Sequence, residues 1–479
     1  MNDNLVMSPP GPDPVTSQQM QSHFLTKNQS VKERRAAGKE LRSKTPLSNL
    51  GQYEDAANRA DPVSILEKQA ETRLAELVPL RYARMLASPF AFLRGSAAVM
   101  AADLAAGSHC SGITTQLCGD MHVANFGVFA SAERNLVFGI NDFDETIPGP
   151  FEWDLKRLVA SIVASGKFIG GRKSICEESV LAAVRSYRKR MHDLADMGYL
   201  DLWYATIGEK DILNAVSGAV TRGALKMMEK ARSRTHMQVL GKLTDLVDEK
   251  YRMRVNAPFI VRQKKLKGIP IEEVLGQFLE SYFLSLSDER KALLKRYRIH
   301  DVVRKVVGVG SVGTRCWVVF LSGNQADDPL FLQIKEAESS VLEPYVPESV
   351  YANQGQRVVI GQRLLQAAPD IFLGWFRIDG KDFYVRQLRD MKGGVEFDPA
   401  TTKVENLDQY SSICGWALAL AHAKAGDAAM ISGYIGKSDE LDEAMVRFAF
   451  AYADQTEQDF NSLAVAAKRG RIKVAGESF

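Results

Sequence analysis

Between Thr114 and Asp154 the chain sets Asp120, His122, Asn125, Asp142, Asp144 and Asp154 among strand-forming residues, and this pattern restricts the fold more than any other stretch. Thr114–Cys118 is β-prone, and Gly119 then lets Asp120 stand at an exposed strand end. Phe126–Ala130 and Leu136–Ile140 flank the polar turn Ser131–Asn135 and predict a hairpin. Centred near Glu133 and Arg134, that hairpin places Asn125 directly opposite Asp142. An amide oxygen and carboxylates then meet beside the Asp120 loop. Mg²⁺ takes a few such oxygens and completes its shell with water and phosphate. A remaining carboxylate is free to orient a hydroxyl, so the stretch outlines a phosphoryl-transfer site.

Helices surround it. Asp61-Pro62 opens a helix running to about Met85, and Ser96–Ala106 forms a small-residue helix. Between them lies SPFAFLRG, whose Arg94 either pairs with a carboxylate or contacts phosphate. After Pro148-Gly149-Pro150 a helix begins near Glu152, with Leu155, Leu158, Val159, Ile162 and Val163 on one buried face. Asp154 falls in its first turn, where the helix dipole favours an anion, and takes a scaffold role. Residues 174–300 read as mostly helical (Ser179–Leu194, Arg222–Asp248, Ile271–Arg298), with His192, His236 and His300 isolated and assigned no catalytic part.

Near Asp301 the pattern changes to strand, glycine-rich turn and strand, with Gly308-x-Gly310-x-x-Gly313 at the turn. A dinucleotide site needs a helix straight after such glycines. Cys316–Leu321 is instead β-branched and aromatic, so the loop is a hairpin tip. Such hairpins cover ATP phosphates in protein kinases, and an ordinary glycine-rich turn fits equally well. In the next strand Phe331, Gln333 and Lys335 face one way and Leu330, Leu332 and Ile334 the other. A helix at about Asn353–Ala367 and a hairpin of Ile371–Arg377 with Asp382–Leu388, turning at Asp379-Gly380, follow. Two helices, about Gln409–Ala425 and Ser438–Lys468, end the chain.

Gly119-Asp120-Met121-His122-Val123-Ala124-Asn125, followed by Ile140-Asn141-Asp142-Phe143-Asp144, resembles the motifs of aminoglycoside and choline phosphotransferases, members of the protein-kinase-like superfamily. The resemblance implies Asp120 as catalytic residue with His122 bracing it, and Asn125 and Asp142, with Asp144, as Mg²⁺ ligands. It further implies Gly308, Gly310, Ser311, Gly313 and Lys335 as the ATP site, and Asp154 and Arg94 as structural support. Glu338 and Glu343 are the candidates for the glutamate that pairs with Lys335. In kinases the glycine loop and lysine precede the catalytic loop, and here they follow it, which implies circular permutation. Permutation is tolerated because chain termini usually lie at the surface. SPFAFLRG, CGDMHVANFG, NDFDETIPGPFEWDLKRL and YVRQLRDMKG also resemble the bacterial family termed domain of unknown function 2252.

The expected architecture is therefore α+β: a two-lobed, protein-kinase-like fold, circularly permuted. Residues 1–60 form a flexible basic arm and 61–300 a large, mainly helical lobe. Residues 301–400 form a small antiparallel-sheet lobe, and 401–479 helices that pack back on the large one. The expected activity is ATP-dependent phosphotransfer to a hydroxyl of an unidentified small-molecule or protein acceptor. A nucleotide-binding pseudokinase, AMP transfer on the same fold and a two-metal phosphoesterase are the alternatives. The last needs Asn-His and His-x-His settings, which none of the seven histidines supplies. A formal charge of +3 over 479 residues is too small to imply nucleic acid or membrane partners. Five scattered cysteines without CxxC suggest reduced thiols, and a cytoplasmic location is expected.

Overall fold

The Phe151–Phe168 helix is buried on every side over most of its length, and the charged residues of its first two turns explain how that is possible. The apolar spacing predicted one buried face, and those five apolar residues are at most 1% exposed. The polar positions, however, anchor the loops before the helix. Glu152 accepts from the Ser111 amide (2.7 Å), and Asp154 from the Cys118 and Gly119 amides (2.7 and 2.9 Å). Lys156 donates to the Ser108 hydroxyl and lies 4.8 Å from the centre of the Phe448 ring. Arg157 donates to Asp120. A buried charge without such a partner would cost several kcal/mol. The structure, a computed structural model, describes residues 29–53, 59–234, 236–247, 250–263, 265–266, 269–306, 308, 310–325, 327–366, 368–388 and 391–476.

Helices Lys173–Ala195, Leu407–Ala425 and Glu440–Lys468 pack around this one and share a single large apolar core with it. The predicted helix from Pro62 to Met85 is two helices, Pro62–Ala70 and Val78–Met85, because Pro79 cannot lie in a helix interior and so marks a new first turn. A helix the sequence reading missed, Ala428–Ile435, precedes the last one, which begins at Glu440 rather than Ser438. The basic run of the expected arm belongs partly to a helix, Val31–Lys44, capped by Ser30 and Glu33. Arg34 pairs with Asp427, Arg35 with Asp196, and Arg42 donates to the Tyr434 and Gly433 carbonyls (both 2.5 Å). The three arginines of the run are thus held by the packed chain, while Lys32, Lys39 and Lys44 stay exposed. The part of the expected arm before residue 29 lies outside the described residues.

A six-stranded antiparallel sheet forms the second part, in the order Gly374–Ile378, Lys381–Gln387, Pro329–Ala337, Cys316–Ser322, Arg298–Lys305 and Ile260–Val261. Both faces are covered, so its central strands are continuously buried. One face packs Leu330, Leu332 and Ile334 against Phe278 and Tyr282, from the Ile271–Leu284 helix. The other packs Phe331, Val318 and Phe320 against Val239, Leu240 and Met253. The predicted alternation of the Lys335 strand is thus present. Asp379 and Gly380 both take positive φ (53° and 70°), as a two-residue hairpin turn requires.

Strands replace helix in parts of the chain that the mixed-charge pattern assigned to helices. The predicted helix Arg222–Asp248 is two helices, Gly218–Ser233 and His236–Leu243, followed by a separate pair of strands, Thr244–Val247 and Lys250–Met253. Asp301 holds them by accepting from the Met253 amide (2.8 Å), a contact 48 residues away that local periodicity does not encode. Ile271–Arg298 likewise divides into Ile271–Leu284, Asp288–Leu294 and the start of the Arg298–Lys305 strand. The five cysteines are free thiols, four of them buried. Among the described residues no single helix is long and apolar enough to cross a membrane.

Candidate active site

Asp154 sets the geometry from below. Its carboxylate accepts both the Cys118 and Gly119 amides, which fixes the loop carrying Asp120. Gly119 itself has φ +83°, and a Cβ there would lie 2.3 Å from the Glu145 carbonyl oxygen, so only glycine fits. His422 approaches the same carboxylate (Nε2 to Oδ2, 3.4 Å) and is held at Nδ1 by the Tyr187 hydroxyl (2.9 Å). The scaffold role expected of Asp154 is the one its contacts describe.

Asp120 is braced by Arg157, whose Nε donates to Oδ1 at 2.6 Å. His122 does not brace it: Nε2 lies 3.7 Å from Oδ2, beyond hydrogen-bond distance. Burial pushes the imidazole pKa down to about 4, with Arg94 and Arg157 adding to the shift and Asp120 opposing it, so His122 is neutral near pH 7. Arg157 follows Asp154 by three residues, one turn along the same helix. That spacing was a readable signal, and the sequence reading passed over it.

The hairpin forms with the predicted strands, Phe126–Ala130 and Leu136–Ile140, but its register differs by one residue. Ser131 donates its amide to the Asn135 carbonyl (2.8 Å), closing an odd-numbered loop with Arg134 at φ +68°. The centre is therefore Glu133, and Asn125 stands opposite Asn141 rather than Asp142, with the Asn141 amide donating to the Asn125 carbonyl (2.9 Å). Asn125 still joins the two acidic segments. Its side-chain amide donates to the Asp120 and Asp142 carbonyls (3.1 and 3.0 Å). Its nitrogen is thereby used, and a cation would have to take its oxygen.

Lys335 crosses from the sheet to the hairpin. Its Nζ lies 3.2 Å from Asp142 Oδ1 and 2.6 Å from Asp144 Oδ2. Burial works against the charge on Lys335, but Asp142 and Asp144 outweigh it and hold the pKa well above the ordinary lysine value. Burial likewise works against Asp142, and the charges of Lys335, Arg386 and Lys392 keep its pKa below the usual carboxylate range. The Asp142 side chain remains 42% exposed, so ligands can reach it, whereas that of Lys335 is 1% exposed. Among the described residues no contact joins Lys335 to a glutamate. Glu343 accepts from the Ser349 amide (3.0 Å), the Glu338 carbonyl accepts from Arg357 (2.8 Å), and the neighbouring Glu336 pairs with Arg315 and Lys381.

Tyr384 donates to Asp144 Oδ1 (2.6 Å), and Arg386 lies 3.7 Å from Asp142 while donating to the Asn141 carbonyl (3.2 Å). The YVRQL alternation puts Tyr384 and Arg386 on one strand face, but only the fold reveals that this face meets the hairpin. From the Gln354–Leu365 helix, buried Arg357 donates to the Asp144 and Thr146 carbonyls (2.9 and 2.6 Å). An arginine thus holds the backbone of the acidic segment, where a helical glutamate was expected to hold the lysine.

The glycine loop is a hairpin tip, as predicted. Ser311 donates to Asp144 (3.2 Å). The loop is also docked through its carbonyls, which sequence reasoning missed: Gly308 accepts from Arg84 (3.0 Å), Gly310 from Arg73 (2.9 Å) and Gly313 from the Leu74 amide (2.8 Å). Gly313 has φ +94°, and a Cβ there would meet Arg73 at 3.0 Å. Beside the hairpin and sheet opens a cleft of about 780 Å³, bordered by Phe126, Asn141, Lys305, Gln333, Arg386 and Lys392. Asn141 and Arg386 connect this cleft to the Asp142–Lys335 cluster.

Among the described residues no group of three or more His, Cys, Asp or Glu side chains could hold a metal ion by itself. Two carboxylates and an amide oxygen suit a hard cation that draws its other ligands from phosphate and water.

Glu145, next to this cluster, supplies a pH test. Burial raises its pKa to about 7 from 4.5, against the Val341 amide and the Arg357 charge, and with Asp144 and Asp120 contributing to the rise. The folded protein therefore holds this proton more tightly than the unfolded chain. The associated stability is fully present below about pH 4.5 and is lost as pH rises through about 7. The thermal midpoint is expected to fall between pH 5 and 8, and Glu145→Gln to flatten that fall. Parallel slopes in the two proteins would contradict it.

The observed class is α+β, with antiparallel sheets and an acidic hairpin that meets a sheet lysine. The chain belongs to the family described as uncharacterized proteins conserved in bacteria (DUF2252), which it matches over residues 73–466. No curated protein and no solved structure matches it.

Proposed function

We propose that this protein is a Mg²⁺- and ATP-dependent phosphotransferase, built on a two-lobed protein-kinase-like fold whose chain is circularly permuted. The observation that carries the reading is the Lys335 ammonium between Asp142 and Asp144 (3.2 and 2.6 Å), with the glycine hairpin reaching Asp144 through Ser311. An ordinary structural ion pair does not need a glycine hairpin, a lysine and two carboxylates in this arrangement. The permutation is supported by the Leu407–Ala425 helix. It follows the sheet in the chain, yet Tyr410 donates to the Val123 carbonyl (3.1 Å) and His422 reaches Asp154. In this reading it stands for the helix that leads into the catalytic loop of a kinase.

In this reading Asp142, Asp144 and the Asn125 amide oxygen would hold Mg²⁺, which would supply positive charge against the nucleotide phosphates. Lys335 turns from its carboxylates toward phosphate oxygens, and Tyr384 and Arg357 keep Asp144 in place as it does so. Arg157 ties up Asp120 Oδ1 and leaves Oδ2 to orient an acceptor hydroxyl and take its proton late. The acceptor oxygen bonds to the γ-phosphorus, the bond to the β-bridging oxygen breaks, and ADP leaves. Placement and electrostatics supply most of the rate enhancement in such chemistry. The 780 Å³ cleft is large enough for a nucleotide. The acceptor is a hydroxyl compound of unassigned class.

Incubation with γ-labelled and α-labelled ATP tests the reading. Transfer of the γ-label to an acceptor or to water is expected. Transfer of the α-label would mean nucleotidyl transfer, and binding with no turnover of either label would mean a pseudokinase.

A further inference from the structure

Arg94 is a guanidinium of this site that makes no ion pair among the described residues. It lies at the end of the short Pro89–Gly95 helix, half-buried, with its Nε shut off from solvent and without a partner. Its one aromatic contact is with Phe90, whose ring centre is 5.8 Å away. Among the described residues it makes neither of the contacts expected of an arginine here, a carboxylate pair or a carbonyl hydrogen bond. Asp120 is close enough to act on it electrostatically, but that carboxylate already belongs to Arg157 (Nη2 to Oδ1, 2.5 Å). Two guanidinium groups thus act on one carboxylate, and of the two only Arg157 is paired with it.

The location of this charge matters as much as its existence. A Cβ on Gly310 would stand 3.6 Å from the Arg94 carbonyl, so the glycine loop rests against this residue. Arg94 therefore adjoins the glycine loop assigned to the nucleotide through its backbone, and its charge is felt by Asp120, the group assigned to the acceptor. Keeping a half-buried guanidinium without an anion is costly, and a bound anion with paired oxygens would offset that cost.

We propose that Arg94 is a catalytic residue that binds the oxygens of the phosphoryl group while it passes from nucleotide to acceptor. This rests on the phosphotransferase reading. Arg94 neither gains nor loses a proton. Its N–H groups hold equatorial oxygens as the new oxygen–phosphorus bond forms and the old one breaks, with the acceptor proton going to Asp120.

The test compares affinity for Mg·ADP with affinity for Mg·ADP plus aluminium fluoride, a mimic of the phosphoryl group in transfer. Titration calorimetry on the full chain is done with wild type, Arg94→Met and Arg94→Lys. Arg94→Met is expected to lose about 10²-fold in affinity for the fluoroaluminate complex, while Mg·ADP alone binds as in wild type. Arg94→Lys should recover part of the loss. Because Met keeps the apolar stem and removes an unpaired charge, the thermal midpoint should not fall. A lowered midpoint with equal losses for both ligands would make Arg94 structural and overturn the proposal. So would a wild type that gains nothing from fluoroaluminate, or a loss confined to inorganic phosphate binding by the nucleotide-free protein. If wild type turns over ATP and Arg94→Met does so equally well, only this inference fails. If wild type neither binds nor turns over Mg·ATP, the phosphotransferase reading fails first.

Discussion

Asp142→Asn is expected to lower transfer by about 10³-fold or more and to weaken Mg²⁺-dependent nucleotide binding, while leaving the fold intact. The amide keeps the shape of the carboxylate but loses the charge that a hard cation requires. Lys335 keeps Asp144 (2.6 Å), and the position is 42% exposed, so little stability depends on the substitution. Asp120→Asn gives the contrast. It too should abolish transfer, but its carboxylate is paired with Arg157 rather than with Lys335, so Mg·ATP affinity should stay within about threefold of wild type. Isothermal titration of the two variants separates the roles. Unchanged Mg·ATP affinity in Asp142→Asn would overturn the metal assignment, and weakened affinity in Asp120→Asn would undo the division of labour.

Asp154→Ala should be the most destabilising single change in the site, by about 3–5 kcal/mol in urea unfolding. The alanine leaves the Cys118 and Gly119 amides, and the facing His422 nitrogen, without their acceptor in a region closed to water. Each stranded amide costs about 1–3 kcal/mol, against a typical total stability of about 5–15 kcal/mol. Asp154→Asn should lose roughly half as much, since its oxygen can still accept one amide while its nitrogen faces the other donor. A loss below about 1 kcal/mol for Asp154→Ala would mean that the loop is held by something other than this carboxylate.

These two residues differ in how far the sequence reveals their work. Asp154 was assigned to the scaffold because its place in a first turn follows from Pro150 and the apolar spacing after it. What it holds, the amides of a loop 35 and 36 residues earlier, is tertiary. Asp142 was read from its motif, but its neighbours were misjudged: the five-residue turn moved the hairpin register by one, and the lysine pairs with aspartates rather than a glutamate. Arg157 was within reach of the helical spacing. Arg73, Arg84 and Arg357 were not, because each binds backbone carbonyls, and a carbonyl has no sequence signature.

The sequence by itself determined the strands of the acidic hairpin, the glycine-loop hairpin, the alternation of the Lys335 strand and the buried Phe151–Phe168 helix. All four depend on side-chain period and turn chemistry within about twenty residues, which is local information. Only the tertiary structure decided that Lys335 meets Asp142 and Asp144, which lie 193 and 191 positions earlier in the chain. It alone decided that the polar side of the central helix faces loops instead of water, and that Arg94 stands without a carboxylate. Those outcomes depend on which charges the packed chain brings within reach of one another, and periodicity carries no record of that.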